Sequence, residues 1–136
     1  MYKIDYVYKC DFSYNQNQVL MFAEITGDNN PIHLDDDYAS KSIFKQKIIH
    51  GFLGASIFSK VFGTIFPGIG SIYLSQTMAF YRPMFVDVLY TANFKIISKD
   101  IEKKQALIST IITNSEGKNV IVGEAIIIHK DFAINL

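Results

Sequence analysis

The chain has one cysteine, Cys10, so no internal disulfide is possible, and a reducing, cytoplasmic setting is expected. It has one arginine, Arg82, against twelve lysines, and its 13 basic side chains balance its 13 acidic ones. A net charge of zero with no lysine cluster excludes the electrostatic footprint of a nucleic-acid binder or of a protein held on an anionic membrane. Long apolar runs are missing as well. The longest are broken by Ser, Lys or Gly and fall short of the ~20 residues that span a bilayer. The opening MYKIDYVYKCDF alternates and carries charge, unlike a secretory leader. No internal repeat, linker or low-complexity stretch divides the chain, so residues 1–136 read as one domain.

The sequence is rich in apolar residues, 49% of the total against 19% charged. That suits a packed core, or one with extra apolar surface hidden in an oligomer. Ile4 to Phe12 alternates as a half-buried strand, with Ile4, Tyr6, Tyr8, Cys10 and Phe12 on one face. Ser13 or Asn15 can cap a helix over Gln16–Thr26, striped by Val19, Phe22 and Ala23 and ended by Gly27. Gly27–Pro31 reads as irregular, and Asp35–Ser42 as a short helix with an acidic start. From Phe52 to Ile65 apolar residues cover most of the helical circumference, which predicts a buried helix. Strands are expected at Gly70–Arg82, Val88–Ser98, Ala106–Asn114 and Asn119–Lys130, joined as a meander, with a hairpin turn at Asn114–Gly117. Helices first and strands after imply an α+β fold with an antiparallel sheet curled around the Phe52–Ile65 helix.

The informative stretch runs from Phe22 to Gly63. It places an acid, Asp28, and a base, His33, five residues apart in a Gly-Asp-Asn-Asn-Pro loop, then passes through His50-Gly51 into the apolar helix. Thr26-Gly27-Asp28-Asn29-Asn30-Pro31-Ile32-His33 resembles the hydratase motif of the MaoC-like, (R)-specific enoyl-CoA hydratases. Ile49-His50-Gly51-Phe52-Leu53, the stretch from Phe66 to Leu74, and Phe80-Tyr81-Arg82-Pro83 are similar to further segments of that family. The resemblance covers nearly the whole chain. After Pro83 the family usually carries Gly-Asp, whereas this chain reads Phe85-Val86-Asp87-Val88, which leaves a turn or interface detail open.

The resemblance implies a hot-dog fold, a single domain that is usually dimeric and acts on acyl thioesters. It implies hydration of a trans-2-enoyl-CoA to the (R)-3-hydroxyacyl-CoA. The catalytic pair then maps onto Asp28 and His33, and the oxyanion amide onto Gly51. Asn30, Ser59 and Phe62 are the further substrate-binding candidates. Asp28 is the natural base for water, with His33 orienting it and shuttling a proton. Gly51 at the start of the buried helix offers an N–H without an intrahelical partner. This chemistry needs no metal and no cofactor beyond the acyl-CoA substrate, and the histidines and cysteine show no metal-ligand spacing.

Each of these residues also has a structural reading. Asn30 can serve to shape the loop, and Ser59 can bond back to its own helix. His50 can cap nearby backbone at the start of the helix. Asp35-Asp36-Asp37 reads as a solvated helix start and Arg82 as a strand-end ion pair. Phe58 and Phe62 belong to the core, and with Ile127 they are expected to close an acyl tunnel early, at about four to six carbons. A hot-dog thioesterase and a non-catalytic acyl-CoA-binding module are the competing functions.

Overall fold

The computed structural model describes residues 2–135. Strand β1 (Val7–Phe12) is followed by helices α1 (Gln16–Thr26), α2 (Pro31–Leu34), α3 (Asp36–Ser40) and α4 (Gly51–Thr64). Strands β2 (Ile72–Phe80), β3 (Tyr90–Asp100), β4 (Gln105–Thr113) and β5 (Asn119–Ile128) come next, and a 3-10 turn at Lys130–Ala133 closes the chain. The five strands form one antiparallel sheet in the order β1-β3-β4-β5-β2. The α+β hot-dog architecture expected from the sequence is therefore present.

Local chemistry sets the element ends. Asn15 caps α1 in a reciprocal box with Gln18, and Gly27 ends the helix in the left-handed region at φ 77°. Asp35 caps α3 by accepting from the N–H groups of Asp37 and Tyr38. Between β4 and β5, Asn114 Oδ1 accepts from the N–H groups of Glu116 and Lys118.

Several expectations change. β1 starts at Val7, because Asp5 turns the chain at φ 71° and leaves Ile4 exposed. Pro31–Leu34, read as the end of an irregular loop, opens a helical turn: proline suits the first helical position and Asn30 caps it. The strands do not form a four-strand meander. Only β3, β4 and β5 follow one another in the sheet, while β2 lies on the far edge beside β5. The chain therefore crosses the sheet twice, once through α1–α4 and once through residues 81–89.

The second crossing passes the start of α4. Ile49 N–H donates to the Met84 carbonyl at 2.8 Å, and a Cβ on Gly54 would lie 2.4 Å from the Met84 sulfur. Further along, Asp87 adopts φ 60° and donates its N–H to the Tyr14 carbonyl, so the chain turns in the left-handed region here without glycine.

One side of α4 packs on the sheet. Leu53, Ile57, Phe58, Val61 and Phe62 join Ala92, Phe94, Ile96, Ile108, Ile112, Ala125 and Ile127 in the core. Phe94 meets Phe58 and Phe62 edge to face at centroid distances of 5.8 and 5.3 Å. The helix is not buried all round, however. Phe52 is 67% exposed, and Ser59, Lys60 and Gly63 face outward. The neighbouring edge strand is also open, with Ile72, Tyr73, Leu74 and Phe80 all exposed. No helix among the described residues is long and apolar enough to cross a membrane.

The tightest approach within the sheet is at Gly123 on β5, where an added Cβ would lie 1.7 Å from the Thr77 carbonyl oxygen of β2. Neither atom can move without parting the two strands. Gly123→Ala should therefore destabilise the fold by at least about 3 kcal/mol, seen as a lowered denaturant midpoint. A midpoint equal to the parent's would contradict this strand pairing.

Candidate active site

Three segments meet at the open end of α4: the loop after α1, the turn α2, and the residues leading into α4. Gly27 N–H donates to the Ala23 carbonyl, and the Thr26 hydroxyl accepts from Asp28 N–H at 3.1 Å. These bonds turn the loop so that Asp28 stands in solvent. Asn30 accepts from Ile32 N–H at 3.2 Å, which starts α2 and brings His33 inward. Asn30 thus shapes the loop, and His33 is buried at 8% exposure.

The fold gathers Asp28 and His33 with a third residue, His50. One carboxylate oxygen and one nitrogen from each ring lie within 4.8 Å of one another. Two acceptors at up to that separation leave room for a water bonded to both. The His33 and His50 rings stack at 3.8 Å between centroids and 29° between planes.

The proton positions follow from the partners. His33 Nδ1 lies 2.8 Å from the Ile48 carbonyl oxygen, which can only accept. Nδ1 therefore carries the proton, and Nε2 presents a lone pair. Burial, with the neighbouring His50 acting in the same direction, lowers the His33 pKa from its usual value. The Ile48 bond and the Asp28 carboxylate work against that shift. His33 is thus held neutral at physiological pH, the form that can accept a proton.

His50 carries a role beyond what the sequence assigned it. It occupies the cap position of α4, yet its side chain makes no cap hydrogen bond. Its Nε2–H reaches back 22 residues to the Asp28 carbonyl at 2.9 Å. That partner is non-local, and no spacing rule would have found it.

The three side chains are a poor metal cage. Two of the four ring nitrogens are committed to carbonyl groups.

Gly51 is the first residue of α4, so its N–H has no carbonyl a turn behind it. It lies on a cleft of about 340 Å³ lined by Phe44, Ile48, Phe80, Arg82, Met84 and Ile121 among others. A Cβ here would sit 2.7 Å from the Phe80 ring, so glycine lets that ring pack against the start of α4. Arg82 donates to the Asn119 carbonyl at 2.5 Å rather than to a carboxylate, so the expected ion pair is replaced by a backbone bond at the end of β5. Ser59 and Phe62 lie further along α4 and do not line this cleft. Ser59 faces outward, and Phe62 is buried against Tyr73, Phe94 and Phe66. Ile127 is fully buried on the sheet face.

The lowered His33 pKa ties stability to pH. The unfolded chain protonates this histidine near its ordinary pKa of ~6.5, before the folded one does. The His33 contribution is therefore complete above that pH and is lost as pH falls through the folded pKa. Denaturation midpoints taken from pH ~7 down to ~5 should fall more steeply for the parent than for His33→Gln. Parallel slopes would show that burial does not perturb this ring.

Comparisons with known proteins bear on the family and the fold. The MaoC like domain family matches residues 3–119. An (R)-specific enoyl-CoA hydratase of Aeromonas caviae is 38% identical over 110 residues, covering 81% of this chain and 82% of the relative. A 3-hydroxybutyryl-CoA dehydratase of Methylorubrum extorquens is 36% identical over 114 residues, covering 83% and 71%. The solved structure of the (R)-hydratase from A. caviae superposes with a TM-score of 0.89 at 33% identity, covering 93% of this chain and 96% of that one. The family match takes in β1 to β4, α4 and the loop that carries Asp28 and His33, and by it the chain belongs to the MaoC-like family.

Proposed function

We propose that this protein is an (R)-specific enoyl-CoA hydratase. The observation that carries the reading is the gathering of the Asp28 carboxylate with a ring nitrogen of His33, a ring whose Nδ1–H is engaged by the Ile48 carbonyl and whose Nε2 is left as the acceptor. A water between two acceptors donates both its hydrogens, which leaves an oxygen lone pair free to attack. As that oxygen bonds to C3 of the enoyl thioester, the C2–C3 π pair moves toward the thioester oxygen. The Gly51 N–H at the amino end of α4 opposes the charge that develops there. Asp28 takes the proton from water with His33 orienting it, and a proton returned to C2 completes the addition of H and OH.

The acyl-CoA enters by the Gly51 cleft, and Phe62, buried beyond the lining of that cleft, would stop a chain that pushed on along α4. The tight packing of Phe62 against Tyr73 and Phe94 favours short enoyl chains. No metal or redox cofactor enters this chemistry. A cytoplasmic setting suits the single free thiol of Cys10.

Mixing the protein with crotonyl-CoA tests the reading. Enoyl absorbance should fall without release of free thiol. Thiol release would instead make it a thioesterase, and neither signal would make it an acyl-CoA-binding module. Asp28→Asn and His33→Ala should each lose roughly 10²–10⁴ in kcat/KM, with KM little changed.

We further propose that the protein is a homodimer. The unpaired edge of β2, the exposed Ile72, Leu74 and Phe80, and the outward Phe52 form one open apolar border that a second copy would cover. Sedimentation should give twice the 15.4 kDa chain mass; a monomer at micromolar concentration would refute it.

A further inference from the structure

His50 takes no proton in the reaction above, yet it is more deeply buried than His33, at 2% exposure. Its ring sits between Phe22, 4.8 Å away, and His33, 3.8 Å away. Its single polar contact is the Nε2–H bond to the Asp28 carbonyl. The other nitrogen, Nδ1, is buried with no hydrogen-bond partner. An orphaned buried acceptor is a cost to the fold. A leucine of similar volume would fill the space without that cost, and capping α4 does not explain the imidazole.

We propose that His50 is a positioning residue that registers Asp28 against His33. Its Nε2–H holds the Asp28 main chain, and its ring face seats the His33 ring. The carboxylate and the His33 lone pair then meet the attacking water at a fixed separation. The role in the reaction rests on the hydratase reading.

The arrangement requires the two stacked rings to donate from opposite nitrogens. His33 carries its proton on Nδ1, because its partner is the Ile48 carbonyl. His50 carries its proton on Nε2, because its partner is the Asp28 carbonyl. The reverse tautomer of His50 would place a nitrogen lone pair against a carbonyl lone pair and release the loop.

Two measurements test the proposal. Nitrogen-15 NMR of the imidazoles at neutral pH reads the tautomers directly and needs no activity. Protonated Nε2 with bare Nδ1 on His50, and the opposite on His33, is expected. A His50 proton on Nδ1 overturns the proposal.

The second measurement is steady-state hydration of crotonyl-CoA by His50→Leu and His50→Gln. Leucine fills the site but cannot donate, and it also removes the orphaned nitrogen. Thermal stability should therefore stay near the parent's while kcat falls about 10- to 100-fold, as expected when a reacting group is misplaced. KM should move by less than about threefold, because the thioester is still gripped at Gly51. Glutamine restores an N–H within reach of the Asp28 carbonyl and should recover most of the lost kcat.

Equal kcat in parent and His50→Leu overturns the proposal. So does a His50→Leu loss that glutamine, in a folded protein, fails to recover. If the parent itself hydrates no enoyl-CoA, the hydratase reading fails, and the tautomer measurement alone decides whether His50 holds the loop.

Discussion

The chain must carry its second strand to the opposite edge of the sheet from its first. With β1 and β2 at the two ends of the order β1-β3-β4-β5-β2, everything between them has to traverse the concave face. A buried crossing must satisfy its own backbone, which a helix does. The crossing segment is therefore α4, with Leu53, Ile57, Phe58, Val61 and Phe62 turned to the sheet. The return crossing passes the start of α4, and Gly54 gives the Met84 side chain the room it needs. The cleft forms between the two crossings, which is why an uncommitted helix amide borders it.

The loop that carries Asp28 lies over that helix start and is tied down there. Two contacts do this, His33 to the Ile48 carbonyl and His50 to the Asp28 carbonyl, while Ile49 N–H holds the second crossing at the Met84 carbonyl. Residues 48–50 thus serve the first crossing, the second crossing and the loop together. The electrostatics follow from the same packing. Burial keeps His33 neutral, and exposure leaves Asp28 in water. The two members of the pair therefore stand in opposite environments.

What was legible in the sequence was local. Alternation in β1, the capping signals around α1, the apolar run of α4 and the Asn114 turn each depend on neighbours a few residues away, and each appears close to where the sequence put it. Asp28 and His33 were legible because five residues of one loop set their relation. What depended on distant partners was not. Nothing in the stretch from Gly70 to Ser98 says that β2 pairs with β5 and not with β3, since pairing is decided by the crossing at residues 81–89. His50 looked like a helix-start residue because its partner lies 22 positions back. Arg82 looked like half of an ion pair, and its partner proved to be a main-chain carbonyl of Asn119. The outward face of α4 escaped detection because Phe52 is as apolar as its buried neighbours.

Asp28 ties its loop to the helix start with its main chain and, in the proposed reaction, offers the chemistry with its side chain. The bond from His50 ends on the carbonyl oxygen, which every amino acid possesses, while the carboxylate stands free in solvent. Architecture and reactivity are therefore separable at this one position. In the proposed reaction, a single codon change here would silence the chemistry and leave the thioester cradle standing. An enzyme of this design thus lies one mutational step from an inert receptor for the same ligand, and a receptor of this design lies one step from an enzyme.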